Sequence, residues 1–352
     1  MPRSVRVLGA VLVVLVVVLI VSVGGGRLGE PEYAAELSGG ASALVPDGRI
    51  EAQGTDGSEL GMALEAAGVE LPPRTNLYAT VITSGADGSR SDGSRSDEFE
   101  AGGGAGATDF WPASSVKLLA AVGALEFLHE RGFSGSASVD FGDGAQWSVR
   151  ELYRSAVVHS ENSAYDALVG IAGVDWLNTV FLTPEKGFPV TVVQKAYADL
   201  GQVSTGPMTL REHDRELELP SRSPSSSYDV PDDGNLSNLA EMTDSVRRVV
   251  LHDELPPTER FAIDDTDVSE LRSDLLGAPG FIEAGADEAF GENVLVYSKP
   301  GHVVGADCVD VAYVQHIDGR AFLLGIATPD DGAECATLTE IARHTLEFLD
   351  RR

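Results

Sequence analysis

The sequence predicts an α+β fold, in which an antiparallel sheet is flanked by helices and an all-helical subdomain is inserted between two parts of the sheet. Two observations support this prediction. One strand is predicted early in the domain, from Asn76 to Thr83, whereas three consecutive strands are predicted near the carboxyl end. Several helices lie between these strands and one follows them, so both ends of the domain must contribute strands to one sheet.

The predicted helices begin and end at residues that favour helix termini. A short amphipathic helix is predicted from Ser58 to Ala67, and Gly68 ends it. A long apolar helix is predicted from Ala113 to Arg131, with Pro112 in the first turn. Further helices are predicted at Val149 to Val158, from Ser163 onward, at Leu236 to Asp253 and at Ala333 to Asp350.

The predicted strands are short runs of β-branched and aromatic residues between polar turns. Glu98 to Ala101 is predicted to return beside the first strand. The segment from Phe188 to Pro231 shows no clear periodicity, so it is predicted to be loop-like. The three late strands are predicted at Val294 to Ser298, Val309 to Ile317 and Ala321 to Thr328.

Three regions are predicted along the chain. Residues 1–26 are predicted to be a signal or membrane-anchor segment, because almost every residue from Val5 to Val23 is apolar over roughly the length that crosses a bilayer. Two preceding arginines favour a cytoplasmic amino end. Residues 27–57 are predicted to be a flexible acidic and glycine-rich stalk, and residues 58–352 the main domain. This domain is therefore expected outside the cytoplasmic membrane, anchored or secreted.

The chain is strongly acidic. Its 352 residues include 55 Asp and Glu against 25 Lys and Arg, which gives a formal net charge of -30. Such a surface repels phosphate groups, so nucleic acid is not an expected partner. Membrane contact is expected only through the N-terminal segment, and the domain is expected to be a monomer that binds a small molecule.

The most informative local feature is the sequence Ser114-Ser115-Val116-Lys117 at the start of the apolar helix. One helical turn brings the Ser114 hydroxyl and the Lys117 amine onto the same face. A serine hydroxyl becomes a good nucleophile when a base takes its proton, and a buried amine of lowered pKa is such a base. By itself this pattern is also compatible with a helix cap and a solvated lysine.

Three motifs occur in order: Ser114-x-x-Lys117, Ser160-Glu161-Asn162 and Lys299-Pro300-Gly301. Together they resemble the S-x-x-K, S-D-N and K-T-G motifs of class A β-lactamases and penicillin-binding proteins. The motifs fall at a helix start, in a loop between helices and at a strand end. The resemblance therefore extends over roughly residues 58–352.

The resemblance implies three catalytic residues. Ser114 would attack a carbonyl carbon and form an acyl-enzyme, and Lys117 would take its proton directly or through water. Ser160 would pass a proton to the leaving nitrogen. No metal or cofactor is expected, since the sequence contains no zinc-binding histidine motif and no phosphate-binding glycine loop.

The resemblance also implies a substrate-binding set. Asn162 would hold Lys117 and the substrate amide, and Lys299 would attract the substrate carboxylate. Gly301 would let the substrate lie along the strand edge, because a side chain there would block it. The backbone N–H groups of Ser114 and His302 would form the oxyanion hole, in which one donor contributes about 3 kcal/mol.

Two departures from the family pattern bear on function. Pro300 stands where the family usually has Thr or Ser, which removes a hydroxyl that would bind the carboxylate. The R-x-E-x-x-L-N segment, whose Glu activates the deacylating water in class A β-lactamases, has no evident match. The charged run from Arg211 to Glu218 offers three glutamates in the right interval but at the wrong spacing, and a solvated charged loop is the simpler interpretation.

Three functions remain open from the sequence. The first is a β-lactamase-like hydrolase that opens β-lactam amides. The second is a D,D-peptidase that acts on peptidoglycan stem peptides and is trapped by penicillin. The third is a catalytically silent binding or sensor domain.

Cys308 and Cys335 are the only cysteines. Two cysteines in an exported protein favour a disulfide, because disulfides persist in oxidising compartments. Cys308 begins one predicted strand, and Cys335 follows the next. Antiparallel pairing brings the start of the first strand beside the end of the second, which supports the bridge. Two separate buried thiols are the alternative.

Overall fold

The computed structural model describes residues 58–82, 95–142, 144–198, 201–225, 228, 230, 234–333 and 335–352. Ten strands lie in this part of the chain: β1 Asn76–Ile82, β2 Arg95–Gly102, β3 Ser138–Asp140, β4 Gln146–Ser148, β5 Met208–Glu212, β6 Arg215–Leu219, β7 Val294–Ser298, β8 Gly301–Val303, β9 Asp307–His316 and β10 Ala321–Pro329. Its α-helices are α1 Glu59–Ala66, α2 Lys117–His129, α3 Val149–Val157, α4 Asn162–Ala172, α5 Val174–Trp176, α6 Leu239–Val250, α7 Asp265–Leu276, α8 Phe281–Phe290 and α9 Ala336–Leu349.

The larger sheet has six strands, and all of its pairs are antiparallel. Strands β2, β1, β10, β9 and β7 lie side by side in that order, and the short strand β8 also pairs with β9. Strands β1 and β2 precede the helical insertion, whereas the other four follow it. The predicted α+β class and the contribution of both ends to one sheet are therefore confirmed.

Helices cover both faces of this sheet. Successive side chains of a strand point to opposite faces, so Leu77 and Tyr78 of β1 belong to different cores. Tyr78 packs in a core with the apolar residues of α2, α3, α4 and α6. Leu77 packs in a second core with residues of α1, α8 and α9.

Helix α2 passes through the interior of the first core. All of its residues from Lys117 to Leu128 are buried, which explains why the sequence shows an apolar helix without an amphipathic pattern. A 3₁₀ turn, Ala113–Val116, precedes it, so the predicted helix start is correct but its first turn is tighter than an α-helix. The fold thereby buries Lys117 at the first residue of the helix.

The inserted region differs from the prediction in one respect. It contains a small sheet of strands β4, β3, β5 and β6 in addition to its helices. The prediction that 188–231 is loop-like is therefore wrong for the hairpin of β5 and β6. Every second residue of β5, at positions 208, 210 and 212, is buried. Because residue 212 is a glutamate, the alternation of apolar and polar residues that predicts a strand is not visible in the sequence. His213, with φ of 56°, turns the chain between the two strands.

Three helices, α5, α7 and α8, and the three-residue strands β3, β4 and β8 were not predicted. The predicted helices and strands among the described residues are present, with ends that differ by up to four residues. The predicted segments 1–26 and 27–57 lie outside the described residues. In the described part of the chain, every helix is too short or too polar to cross a membrane.

Candidate active site

Ser114 lies in the 3₁₀ turn that precedes α2, and it is partly exposed. The preceding residue, Ala113, has φ of 48°, a conformation that costs an L-residue about 1 kcal/mol or more. The chain just before this turn is held by Trp111, whose backbone N–H donates to the buried carboxylate of Asp307 at 3.1 Å. Arg74 pairs with the same carboxylate at 3.1 Å. The turn that presents Ser114 is therefore held to the start of β9.

Lys117 is fully buried one turn after Ser114. Its Nζ donates to Asn162 Oδ1 at 2.7 Å, to the backbone carbonyl of Ser160, and to Ser160 Oγ at 3.4 Å. Burial, followed by the charge of Lys299, lowers the pKa of Lys117 to about 7. Near neutral pH a large fraction of this amine is therefore uncharged and able to accept a proton.

Ser160 connects the two buried lysines. Its hydroxyl oxygen accepts from Lys299 Nζ at 3.1 Å and from Lys117 Nζ at 3.4 Å. Its φ of 58° places it in the left-handed region, which is uncommon for serine and occurs at functional sites. Burial lowers the pKa of Lys299 to about 8, while the buried Asp310 opposes this shift. The amines of Lys117 and Lys299 thus lie at one serine, in a chain whose formal net charge is -30.

Gly301 joins the third motif to the turn that contains Ser114. A Cβ atom at this position would lie 2.8 Å from Ser114 N, 2.9 Å from Ala113 Cβ and 3.0 Å from Pro112 O. Only a glycine lets strand β8 run this close to the turn. The fold thus brings the third motif directly against the residue that begins the first motif.

His302 follows Gly301 in β8. Its Nε2 lies 3.2 Å from Asp330 Oδ2, and its ring packs edge-on against Phe281. The imidazole of His302 therefore contacts Asp330. The role that the resemblance implies for His302 uses only its backbone N–H.

The structure brings the three motifs together around Ser160, although they are far apart in the sequence. A sequence model of the β-lactamase enzyme family matches residues 108–349, which is more than half of the chain and includes all three motifs. The chain belongs to the β-lactamase enzyme family.

Solved structures of similar fold include class A β-lactamases. A mutant of the class A β-lactamase of the last common ancestor of Gram-negative bacteria is 16% identical, with a TM-score of 0.58; the match covers 83% of this chain and 99% of that chain. A class A β-lactamase from Mycobacterium abscessus is 14% identical, with a TM-score of 0.57 and coverage of 83% and 98%. At these identities the likeness shows the fold.

A penicillin-binding protein has the same fold. A mutant of PBP-A, in an acyl-enzyme complex with penicillin G, is 13% identical to this chain, with a TM-score of 0.55; the match covers 83% of this chain and 96% of that chain. No curated protein sequence matches the chain. The resemblance to class A β-lactamases and penicillin-binding proteins is therefore confirmed at the level of the superfamily.

Sequence reasoning missed one residue beside the turn that contains Ser114 in this β-lactamase-family protein. The Tyr197 hydroxyl donates to the backbone carbonyl of Ala113 at 2.7 Å, and Lys117 Nζ lies 5.6 Å from the centre of its ring. Tyr165 stacks on Tyr197 with ring centres 4.5 Å apart. Burial raises the pKa of Tyr197, so its hydroxyl stays protonated.

Asp166 holds the backbone of this tyrosine in place. Its two carboxylate oxygens accept from the backbone N–H groups of Tyr197 and Ala198, both at 2.8 Å. Among the described residues, no carboxylate forms a hydrogen bond with Lys117, Ser160 or Lys299. The neutral phenol ring of Tyr197 lies near the Lys117 amine, and the charges of Asp166 and Glu161 oppose the lowering of the Lys117 pKa.

The sequence does contain a signal for Tyr197. Residues 195–201 read Lys-Ala-Tyr-Ala-Asp-Leu-Gly, which fits the spacing of R-x-E-x-x-L-N, with Lys for Arg, Tyr for Glu and Gly for Asn, so that only Leu200 is identical. The likeness is weak in the sequence, because the glutamate that defines the pattern is itself replaced by Tyr197.

The glutamates of the run from Arg211 to Glu218 lie elsewhere in this β-lactamase-family protein. Glu212 is buried in the small sheet, where it accepts hydrogen bonds from the hydroxyl groups of Ser134 and Ser136. Glu216 pairs with Arg211 at 2.8 Å, and Glu218 is exposed on β6. The run forms a hairpin rather than the solvated loop that the sequence suggested.

Cys308 and Cys335 form a disulfide, with Cα atoms 5.8 Å apart. Thr328 of β10 lies opposite Cys308 of β9, and Cys335 caps the start of α9. Cys308 also lies opposite His302 in the pairing of β8 with β9. The bridge thus connects α9 to the strand that supports the third motif.

Proposed function

We propose that the protein is an exported serine acyl hydrolase that is acylated at Ser114 by β-lactams and releases the acyl group slowly. The observation that carries this proposal is the convergence of Lys117 and Lys299 on the Ser160 hydroxyl. Membership of the β-lactamase enzyme family supports it. The acyl-enzyme complex of the PBP-A mutant with penicillin G supports the substrate class.

Acylation begins with the neutral amine of Lys117. It accepts the proton of Ser114, directly or through water, while Ser114 Oγ forms a bond to the carbonyl carbon of the substrate. The negative charge that develops on the carbonyl oxygen is stabilised by the backbone N–H groups of Ser114 and His302. Collapse of this intermediate breaks the C–N bond, and the proton reaches the leaving nitrogen through Ser160.

Substrate binding relies on positive charge. Lys299 is buried and points to Ser160, so it attracts a carboxylate that lies near the leaving nitrogen. Both β-lactams and peptidoglycan stem peptides have a carboxylate at this place. Pro300 provides no hydroxyl for that carboxylate, so the charge of Lys299 carries more of the recognition than in relatives with Thr or Ser.

Deacylation requires a water molecule activated by a base. Tyr197 does not supply this base, because burial raises its pKa and keeps the phenol protonated, and its hydroxyl donates to the Ala113 carbonyl. Slow hydrolysis follows, which favours a D,D-peptidase or transpeptidase that penicillin traps over a β-lactamase that confers resistance. The natural substrate of such a D,D-peptidase is the peptidoglycan stem peptide, whereas that of a β-lactamase is the β-lactam itself.

A chromogenic cephalosporin distinguishes the alternatives. The proposal predicts a burst of one equivalent of product, followed by a slow steady rate, and no burst for Ser114→Ala. Rapid multiple turnover without a burst would identify a β-lactamase instead. Absence of any acylation in the folded wild-type protein would leave a silent binding domain as the function and overturn the proposal.

A further inference from the structure

Three potential metal ligands meet outside the active site, between helices α6 and α7. His252 and Asp253 follow the end of α6, and Asp265 is the first residue of α7. One ligand atom from each of the three lies within 4.8 Å of the other two. The intervening segment folds back on itself, so residues that are 12 or 13 positions apart meet at one place.

The imidazole of His252 is oriented as metal ligands usually are. Its side chain is buried, and Nε2 lies 2.9 Å from the carbonyl oxygen of Phe261. A carbonyl only accepts hydrogen bonds, so Nε2 must have the proton and Nδ1 of the neutral ring retains its lone pair. Among the described residues Nδ1 has no hydrogen-bond partner. A histidine that donates one N–H to a carbonyl and directs its other nitrogen at a metal is the common arrangement.

The two carboxylates supply oxygen ligands on the side of Nδ1. Asp253 Oδ1 lies 3.8 Å from Nδ1, too far for a hydrogen bond but suitable for two ligands of one ion. The other oxygen of Asp253 accepts from Arg272 at 3.3 Å. Arg260 donates to the backbone carbonyl of Asp253 at 3.0 Å, which fixes the backbone at this ligand. Asp265 is exposed, so an ion can enter from solvent.

We propose that His252, Asp253 and Asp265 bind one divalent transition-metal ion, with Zn²⁺ as the first choice. One imidazole and two carboxylates favour Zn²⁺ over Mg²⁺ or Ca²⁺, which prefer oxygen ligands alone. The ion would offset the repulsion between the two carboxylates and satisfy the unpaired Nδ1. By connecting the end of α6 to the start of α7, it would stabilise the fold without taking part in acyl transfer.

The experiment measures Zn²⁺ binding and thermal unfolding of the chelator-treated protein. We expect one equivalent of Zn²⁺ to bind and to raise Tm by roughly 3 °C or more at a hundredfold excess over Kd. Mg²⁺ at the same ionic strength should have little effect. Asp265→Asn removes an exposed ligand and should weaken Zn²⁺ binding at least about tenfold. His252→Gln retains a donor for the Phe261 carbonyl but removes the Nδ1 ligand, so it should lose binding as well.

The matched control is Asp287→Asn, which removes the same charge from an exposed position on helix α8. It should bind Zn²⁺ as the wild type does. Equal weakening by Asp287→Asn would show that Zn²⁺ only associates with the acidic surface, and the proposal would be overturned. The same holds if the wild type takes up no Zn²⁺, or if Mg²⁺ gives the same rise in Tm. If His252→Gln does not fold, the comparison of Asp265→Asn with Asp287→Asn decides.

Discussion

Lys299 donates a hydrogen bond to the hydroxyl oxygen of Ser160 at 3.1 Å, across 139 positions of the sequence. The same oxygen lies 3.4 Å from Lys117 Nζ, so the two amines share one serine. Their mutual repulsion helps to lower the pKa of Lys117. The substrate-binding charge and the proposed base are therefore coupled, and a change in one alters the other.

The rate of acylation should depend on pH in a narrow bell. The pKa of Lys117 is lowered to about 7, so the fraction of neutral base rises as pH increases through this value. The pKa of Lys299 is lowered to about 8, so the charge that binds the carboxylate is lost above this value. The second-order rate constant of acylation should thus peak between pH 7 and 8. A rate that is constant from pH 6 to pH 10 would rule out both roles.

Replacing Lys299 by Met should have two effects. Loss of the charge should weaken binding of carboxylate substrates by roughly 10- to 100-fold. The acid limb of the pH profile should also move to higher pH, because Lys117 no longer has a cationic neighbour. The measurement is the acylation rate against pH with a β-lactam and with its methyl ester. An unchanged acid limb would show that the two amines are not coupled.

Replacing Gly301 by Ala should impair acylation while the fold persists. The new methyl group would lie 2.8 Å from Ser114 N, so the turn must move. Since a misplacement of about 1 Å costs on the order of 100-fold in rate, we expect a loss of up to this size. The control is Gly106→Ala, where the methyl group meets no atom within 4 Å. If both variants acylate at the wild-type rate, Gly301 does not position the nucleophile.

Tyr197→Glu should accelerate deacylation. A carboxylate beside Lys117 can activate water, so the steady rate after the burst should rise at least about tenfold. Tyr197→Phe is the control, since it keeps the ring stack on Tyr165 but loses the hydrogen bond to the Ala113 carbonyl. If deacylation is equally fast in the two variants, the tyrosine hydroxyl, and not the lack of a carboxylate base, is the cause of slow deacylation in the wild type.

The disulfide between Cys308 and Cys335 should contribute about 3.5 kcal/mol to the free energy of unfolding, because it joins residues that are 27 positions apart. Urea unfolding with and without a reductant measures this contribution. The double variant Cys308→Ala/Cys335→Ala should unfold at lower urea concentration and should not respond to the reductant. Identical midpoints for the reduced and oxidised wild type would mean that the bridge adds no stability.

Much of the fold could be predicted because its patterns are local. Capping residues and apolar periodicity predicted helix α3 and strand β7 to within a residue. The hairpin of β5 and β6 was missed because a buried glutamate at 212 interrupts the alternation of apolar and polar residues. The hydroxyl groups of Ser134 and Ser136, which donate hydrogen bonds to this carboxylate, lie just before strand β3, far from residue 212 in the sequence. Such compensation by distant residues has no local signal.

The active site was predictable only in part. Ser114, Lys117, Ser160 and Lys299 have recognisable neighbours in sequence, so their meeting could be expected. Tyr197 could not be selected by residue chemistry, because a tyrosine is a poor base and its place is fixed by the hydrogen bonds of Asp166 to the backbone. The proposed metal ligands His252 and Asp265 are 13 positions apart, and only the fold brings them together.

The most direct test of the account is mass spectrometry of the intact protein and its peptides over time after exposure to penicillin G. The account predicts one covalent penicilloyl group, located on the peptide that contains Ser114, and a lifetime long enough for the adduct to be isolated. Ser114→Ala should gain no mass. An adduct on another residue, or none in the folded wild-type protein, would contradict the assignment of Ser114 as the nucleophile.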